Sequence, residues 1–383
     1  MHIWLAPSAF FPHRGGVEEL TLQLGIALQD RGHGVRIVTH RYPPSLEQQA
    51  TVDTLEVSRV RFTAPSAHPG ALAHFLADLR PMQQTLDALS PRPDIVHIQC
   101  PSVQTAPLVL YARRHRIPLV VTSQGEVVMD ANQLYQCSAF MRLSFRVASR
   151  SAAALTACSA WTASQCASFS PRFSGATVIP NGVAPEQWEV GPPPSEPVLC
   201  AWGRHVPQKG FDLAIKAFAV LRERVPDARL VIGGDGAETP RLRAIAGEGV
   251  EFVGALNREG VRKLLARSRV AVVPSRIEPF GIVALEALAA GRGLVYAAGT
   301  GLVEAAGELG RAADVDDSEA LARAMEDELA DPTRPSTGRD RADRFSWNRI
   351  CGEYLNVYGQ MPRRAPGNVS RDEGSRGVQH PNR

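Results

Sequence analysis

Two glutamates separated by seven residues stand in the stretch RIEPFGIVALEAL, at residues 276–288. Glu278 comes just before Pro279 and Gly281, whereas Glu286 lies inside an apolar run. A carboxylate among apolar side chains is costly unless a partner satisfies it. Carboxylates only accept hydrogen bonds, so the hydroxyl groups of a sugar or a ribose are natural partners. The spacing alone leaves a second interpretation open, a buried glutamate paired with a structural arginine.

A basic loop lies at residues 202–212, WGRHVPQKGFD, between a strand-like run and a helix-like run. Arg204 can bind two oxygens at once and Lys209 supplies a point charge, while a helix start attracts anions. This combination favours a pyrophosphate site. The alternative is a loop whose basic side chains are simply solvated.

Glycine-rich loops follow two other strand-like runs, HRGGVEE at 13–19 and GGDGAE at 233–238. Gly15 and Gly16 would let the backbone approach a ligand closely, and the helix start behind them would attract a phosphate or carboxylate. The loop lacks the full G-x-G-x-x-G spacing, which counts against a dinucleotide site. A plain tight turn is the alternative, and the 233–238 loop is a weak signal by itself.

The elements that carry these loops alternate between strand-like and helix-like runs. Residues 2–40 read as strand, helix and strand, which is the opening of a βαβ unit with a parallel sheet. Three consecutive prolines at 192–194 cannot continue a strand or helix, and a second alternation follows them. We therefore predict an α/β protein with two Rossmann-like, doubly wound parallel-sheet domains. The predicted segments are an N-terminal domain (1–184), a linker (185–197), a C-terminal domain (198–344), an amphipathic helix (345–361) and a disordered tail (362–383).

Composition excludes several classes of protein. A net charge of +3 is too small to indicate nucleic-acid binding. The six cysteines form no C-x-x-C pair, so free thiols in a reducing compartment are favoured over a structural metal. No apolar run approaches the length of a membrane span, and the first residues lack the pattern of a signal peptide. We therefore expect a cytoplasmic protein.

Five segments together resemble the retaining GT-B glycosyltransferases of family 4, in order and spacing, over residues 1 to 361. They are GGVE (15–18), GRHVPQKG (203–210), GGDG (233–236), FVG (252–254) and EPFGIVALEALAAG (278–291). The resemblance implies two domains facing a central cleft, with the nucleotide-sugar donor held mainly by the C-terminal one and the acceptor mainly by the N-terminal one. It also implies that the C-terminal helix crosses back to pack on the N-terminal domain.

The resemblance assigns roles to individual residues. Arg204 and Lys209 would bind the donor diphosphate, Glu286 the ribose hydroxyls and Glu278 the transferred sugar. Backbone amides around Phe280 and Gly281 would contact sugar and phosphate, while Gly15 and Gly16 would close the phosphate side. Weaker candidates for donor binding are Gly234, Thr300 and Glu304.

Two further residues match catalytic positions of the family. Members often carry a histidine at the end of the strand that matches VVTSQG, where this chain has Gln124. Glutamine can hydrogen-bond a sugar hydroxyl but cannot shuttle a proton. Three interpretations follow: altered donor preference, catalysis that does not need an imidazole, or a weakened enzyme. His97 matches a position near the acceptor side, although a lone histidine at a strand end is more often structural.

The implied reaction moves a hexose-type sugar from a UDP- or GDP-sugar to an acceptor hydroxyl, with retention. No cofactor or divalent metal is required, because cations and helix dipoles neutralise the leaving diphosphate. The acceptor is a glycolipid, a polysaccharide or a natural product. Alternatives are a nucleotide-sugar epimerase or hydrolase, and a degenerate sugar-nucleotide-binding protein.

A basic helix face adds one candidate surface. Arg142, Arg146 and Arg150 recur every four residues in FMRLSFRVASR, with apolar residues beside them. This face could lie on the inner side of an anionic membrane and present a lipid-linked acceptor. A solvated helix face is the alternative.

Overall fold

A computed structural model describes residues 1–13, 15–65, 70–129, 134–188 and 190–362. These residues form two α/β domains that face each other. The predicted disordered tail, except for its first residue, lies outside the described residues, as do Arg14 and Glu189 of the predicted loop and linker.

The N-terminal domain is built on a sheet of strand order β3-β4-β2-β1-β5-β6-β7-β8, parallel except for the β3–β4 pair. Its strands are β1 (His2–Pro7), β2 (Gly34–His40), β3 (Gln49–Val52), β4 (Leu55–Val60), β5 (Ile95–Gln99), β6 (Leu119–Ser123), β7 (Ala154–Ala157) and β8 (Thr177–Val178). Its helices are α1 (Gly16–Gln29), α2 (Ala71–Asp87), α3 (Thr105–His115), α4 (Glu126–Met129), α5 (Leu134–Cys137), α6 (Ala139–Ser151) and α7 (Ala160–Ala167).

The C-terminal domain is built on a fully parallel sheet of order β11-β10-β9-β12-β13-β14. Its strands are β9 (Val198–Trp202), β10 (Arg229–Gly233), β11 (Val250–Gly254), β12 (Val270–Val273), β13 (Gly293–Ala297) and β14 (Arg311–Ala313). The helices that follow are α8 (Phe211–Arg224), α9 (Thr239–Ile245), α10 (Arg258–Ala266), α11 (Ile282–Ala289), α12 (Leu302–Ala306), α13 (Ser318–Ala330), α14 (Pro335–Asp343) and α15 (Trp347–Gly359).

Both faces of the N-terminal sheet are covered, as expected of parallel strands. Successive side chains of a strand point to opposite faces, so Ile3 and Leu5 pack in one buried cluster and Trp4 in another. The cluster around Ile3 includes Ile350 and Tyr354 of α15. The last helix therefore crosses back onto the N-terminal domain, which confirms the predicted GT-B arrangement.

The predicted linker is partly packed. Trp188 lies in a short 3-10 turn, Pro185–Trp188, and only 5% of its surface is exposed. It packs with the C-terminal core, while β9 begins at Val198. Anchoring of this kind restricts how freely the two domains turn about residues 185–197.

The strand order of each sheet determines where a ligand can bind. In the C-terminal sheet the order reverses between β9 and β12, and in the N-terminal sheet between β1 and β5. Crevices at the carboxyl ends of strands beside such a reversal are the usual ligand sites of open α/β sheets. The loops that follow β1, β9 and β12 are among those that the sequence singles out.

Candidate active site

A cleft of about 490 Å³ lies between the two domains. Residues of both domains line it, and eight of them are predicted site residues. These are Gly15, Gly16, Gln124, Arg204, Lys209, Glu278, Phe280 and Gly281. The structure thus brings together most of the residues that the sequence selects.

The basic loop and the glutamate loop meet through a close backbone approach. Gly210 has φ +65°, and a Cβ on it would lie 2.0 Å from the carbonyl oxygen of Pro274. Only glycine allows this approach together with the left-handed conformation. As a result Lys209 Nζ lies 2.5 Å from Glu278 Oε2, which also accepts a hydrogen bond from Ser275 Oγ at 3.1 Å.

The helix start predicted to bind an anion is present at α11. Gly281 precedes the helix with φ +92°, and a Cβ on it would lie 2.2 Å from Leu302 Cδ2. Ile282 and Val283, the first helical residues, both line the cleft. Their amide groups have no partner one turn earlier, so this end of the helix offers donors and a partial positive charge to an anion.

Glu286 lies one turn further along α11, beside a second cavity of about 200 Å³. Gly16, Leu20, Ile282 and Val283 line both cavities, so the second cavity continues the cleft. Trp202 Nε1 donates to Glu286 Oε2 at 3.3 Å. Burial raises the pKa of Glu286 to about 7, although the Trp202 hydrogen bond acts in the opposite direction.

The opposite wall of the cleft contains a carboxyl group that sequence reasoning missed. Glu126 follows Gln124 at the end of β6, and its Oε2 accepts from Ser123 Oγ at 3.0 Å and from the Gln124 amide at 2.9 Å. Its Oε1 is buried without a hydrogen-bond partner in the described part of the chain. Burial raises the pKa of Glu126 to about 7. The signal was the acidic residue just after the strand, in SQGE.

The glycine loop contributes another carboxyl group. Glu18 is buried beneath it, and a Cβ on Gly15 would lie 2.5 Å from Glu18 Oε2. Burial raises the pKa of Glu18, whereas its backbone hydrogen bond, His13 and Arg204 lower it. Gly15 itself has extended φ, so it is needed here for the space it leaves.

Comparisons with known proteins cover both domains. A family model described as glycosyl transferases group 1 matches residues 184–345, and one described as a glycosyl transferase 4-like domain matches residues 15–182. The glycogen synthase of Mycobacterium tuberculosis is 30% identical over 90% of this chain and 91% of its own. The chain belongs to the group 1 glycosyltransferases. It is an enzyme that transfers a sugar from a nucleotide sugar.

Other relatives and solved structures agree with this family. The phosphatidyl-myo-inositol mannosyltransferase of Propionibacterium freudenreichii is 28% identical over 94% of each chain. The sucrose-phosphate synthase of Thermosynechococcus elongatus superposes with a TM-score of 0.75 at 23% identity, covering 94% of this chain and 98% of its own. Anabaena HepE, solved with UDP and glucose, gives 0.72 at 19% identity over 94% and 100%. The two structures share the GT-B fold with this glycosyltransferase.

His97 is not among the residues that line the cleft of this glycosyltransferase, and its catalytic role stays a prediction. Its side chain is 0% exposed, with Nδ1 2.6 Å from the Tyr358 hydroxyl and Nε2 2.6 Å from Thr122 Oγ1. Burial lowers the pKa of His97 to about 3, so the ring is neutral. Its place is under α15, where it joins the last helix to the N-terminal sheet.

The three weaker donor-binding candidates lie outside the residues that line either cavity. Gly234 packs against the basic loop, because a Cβ on it would lie 1.8 Å from the Gly203 oxygen. Thr300 is buried, and its hydroxyl donates to Ala297 O at 3.3 Å. Glu304 accepts from the amides of Ala160 at 2.8 Å and Trp161 at 2.9 Å, at the start of α7. Glu304 therefore joins the two domains.

The described residues contain no group of three or more His, Cys, Asp or Glu side chains that could hold a metal ion. The cysteines are all free, and five of the six are buried. In the part of the chain that the structure describes, no helix has the length and apolar character needed to cross a membrane.

The basic face of α6 forms as predicted, but two of its arginines are held by backbone carbonyls. Arg142 donates to Tyr135 O at 2.9 Å and to Gln136 O at 2.6 Å, and Arg146 donates to Phe169 O at 2.9 Å. These bonds give Arg142 and Arg146 a structural role in fixing the segment around α6.

Proposed function

We propose that this glycosyltransferase moves a hexose-type sugar from a UDP- or GDP-sugar to an acceptor hydroxyl, with retention and without a metal ion. The observation that carries the proposal is the convergence of Arg204, Lys209 and the start of α11 on one cleft, with Glu278 and Glu286 beside them. Positive groups suit a diphosphate, and carboxylates on either side suit the hydroxyls of sugar and ribose.

The two carboxylate oxygens of Glu278 have different roles in the proposed site. Oε2 is held by Lys209 and Ser275, so the carboxylate has a fixed orientation. Oε1 forms no hydrogen bond or ion pair with another described residue, and Glu278 lines the cleft, so Oε1 can accept from a sugar hydroxyl. An ammonium group has three donors. Lys209 can therefore keep Glu278 in place and still donate to a phosphate oxygen.

The proposed transfer step does not need a protein nucleophile. The bond from the anomeric carbon to the diphosphate oxygen breaks, and a bond to the acceptor oxygen forms on the same face. The acceptor proton passes to the leaving phosphate oxygen. Arg204, Lys209 and the amides at the start of α11 stabilise the charge that develops on the diphosphate.

The substrates of similar proteins support this choice of donor and acceptor. HepE binds UDP and UDP-glucose in its solved structures. A Mycobacterium tuberculosis relative, 28% identical, is a GDP-mannose-dependent phosphatidylinositol dimannoside mannosyltransferase. A UDP- or GDP-sugar donor and a lipid-linked or glycan acceptor are therefore the first substrates to test.

Calorimetry with UDP, GDP and ADP, followed by a product assay, tests the proposal. We expect one nucleotide to bind and EDTA to leave its Kd unchanged. Glu286→Ala should weaken nucleotide binding about tenfold, because a hydrogen-bond acceptor for the ribose hydroxyls is lost. Glu248→Ala is the matched control, since that side chain is 90% exposed and outside the cleft. Unchanged binding in Glu286→Ala would refute its assignment to the ribose.

Product analysis separates the remaining alternatives. The proposal is supported if transfer depends on an added acceptor and if the NMR spectrum shows that the product keeps the anomeric configuration of the donor. Free or epimerised sugar formed without acceptor indicates a hydrolase or epimerase. Nucleotide binding with no turnover of any donor indicates a degenerate binding protein.

We also propose that the surface of α6 contacts an anionic membrane while the acceptor is bound. Leu143 is 57% exposed on this helix, and the exposed Arg150 lies two turns further along. Liposome co-sedimentation of Leu143→Ser/Arg150→Ser tests the idea, with Arg323→Ser on α13 as control. Binding equal to that of the wild type would exclude this surface.

A further inference from the structure

The Pro279 carbonyl, in the loop between β12 and α11, is held by the other domain. Ser159 Oγ donates to this oxygen at 2.5 Å, and Thr162 Oγ1 donates to it at 3.0 Å. Both side chains are 0% exposed. Ser159 is also the N-cap of α7, where its hydroxyl accepts from the Thr162 amide at 2.9 Å. A helix of the N-terminal domain therefore fixes one peptide group of the donor-side loop.

Two glycines, one from each domain, allow close contacts on both sides of the same loop. A Cβ on Gly125 would lie 2.2 Å from Pro279 Cγ, and a Cβ on Gly301 would lie 2.0 Å from the Pro279 oxygen. The Gly301 amide donates to the Glu278 carbonyl at 2.9 Å. Glu304 of the C-terminal domain caps the start of α7 by accepting hydrogen bonds from two of its amides. The orientation of the Pro279 carbonyl is therefore determined by contacts from both domains.

The orientation of this carbonyl also determines the orientation of the next amide. A peptide unit is planar and trans, so the Phe280 N–H points opposite to the Pro279 carbonyl and away from α7. Phe280 and Gly281 line the cleft, and their amides donate to no acceptor among the described residues. Buried amides are nearly always paired, which indicates a ligand oxygen as the partner.

We propose that Ser159 and Thr162 are positioning residues for sugar transfer. They aim the Phe280 amide at an oxygen of the bound sugar diphosphate and polarise it, because a hydrogen bond to a carbonyl strengthens the donor on the same peptide. The inference rests on the proposed function, in which this loop binds the donor. It adds that the N-terminal domain also prepares the donor site.

Ser159→Ala and Ser138→Ala form a matched pair for the test. Ser138 is the N-cap of α6 and accepts from the Met141 amide at 3.3 Å, so both variants lose a serine cap. Only Ser159→Ala loses a contact to Pro279. Thr162→Val and Thr162→Ser form a second pair, in which the serine variant keeps the hydroxyl and should behave as the wild type.

We expect Ser159→Ala and Thr162→Val to lower kcat about 10- to 100-fold. The hydrogen bond from the Phe280 amide to the sugar diphosphate acts mainly in the transition state, and these variants misalign it. The Kd for the free nucleoside diphosphate should change less than about twofold, since Glu286 and Arg204 are untouched. Hydrogen exchange provides a readout independent of turnover. Donor binding should protect the Phe280 amide in the wild type and in Ser138→Ala, and less in Ser159→Ala.

Equal kcat and equal protection in Ser159→Ala and Ser138→Ala would overturn the inference, even if wild-type transfer is normal. If Ser159→Ala does not fold, the same comparison between Thr162→Val and Thr162→Ser decides. A wild type that binds none of UDP, GDP and ADP would overturn the proposed function and this inference with it. The two failures are therefore distinguishable.

Discussion

The raised pKa of Glu126 predicts a pH dependence of stability that one substitution should remove. Its pKa rises from 4.5 to about 7 because the carboxyl group is buried. One pKa unit corresponds to about 1.4 kcal/mol, so this shift is worth about 3 kcal/mol. The folded protein keeps a proton that the unfolded chain releases between pH 4.5 and about 7. The contribution of Glu126 to stability is therefore full below pH 4.5 and is lost as the pH rises through about 7.

Glu126→Gln keeps the shape of the side chain and an oxygen for the Gln124 amide, but it does not titrate. Relative to the wild type, the variant should gain about 2.5 kcal/mol of unfolding free energy between pH 5 and pH 8, because part of the shift is already lost at pH 5. Urea unfolding at these two pH values measures the difference. Comparing variant with wild type matters, because Glu286 also has a pKa raised to about 7 and its contribution cancels.

Glu248→Gln is the control, and its difference from the wild type should not change with pH. A Glu126→Gln difference that stays constant within about 0.5 kcal/mol from pH 5 to pH 8 would refute the reasoning. It would mean that water or a movement of α4 solvates the carboxyl group, so that its pKa stays ordinary. A ¹³C NMR titration of the Glu126 carboxyl carbon would measure the same pKa directly.

Three further predictions concern single substitutions. Lys209→Met should weaken nucleoside diphosphate binding about 10- to 100-fold in calorimetry, because a charged hydrogen bond to phosphate is lost. Gly210→Ala should lower the melting temperature, since its φ of +65° and the 2.0 Å approach to Pro274 O exclude a Cβ. Tyr358→Phe should lower the unfolding free energy by about 1 to 2 kcal/mol, because the buried His97 Nδ1 loses its hydrogen bond with the Tyr358 hydroxyl. The same variant should leave the KM for the donor unchanged, because this contact lies outside the cleft.

The core of the site could be predicted because parallel strands end at the same edge of a sheet. The loop after β9 carries Arg204 and Lys209, and the loop after β12 carries Glu278. β9 and β12 are neighbours in the sheet, so these loops must meet at its carboxyl edge. Alternating strand-like and helix-like runs sufficed to place both loops after strands, and the motif resemblance then gave their order.

The contacts of His97 and Glu304 could not be predicted because their partners lie far away in the chain. The period of two along β5 predicts that His97 lies on one face of the sheet, but it does not predict which element covers that face. It is α15, whose Tyr358 lies 261 positions later. Glu304 follows a glycine-rich turn as a donor ligand would, yet its partners are amides of the other domain. The packing of one domain on another is not encoded in a local pattern.

The β3–β4 pair was missed for a different reason. Its strands are short, Gln49–Val52 and Leu55–Val60, and a turn with Asp53 at φ 49° joins them. The alternation in LEVSRV is a strand signal, but a helical or loop assignment competes over so few residues. These strands lie at the edge of the sheet away from β5 and β6, so the error does not affect the cleft.

Of the three interpretations of Gln124, we propose catalysis that does not need an imidazole. Gln124 lines the cleft and its Nε2 donates to Gln99 Oε1 at 3.3 Å, so the amide is held in place. If the leaving phosphate takes the acceptor proton, the residue at this position only has to form hydrogen bonds, which an amide can do. A group that titrates near neutral pH is still present on this wall, because Glu126 lies two residues further on with a pKa of about 7. The histidine-to-glutamine difference therefore replaces a ring by an amide, and the same wall still carries the titratable carboxyl group of Glu126.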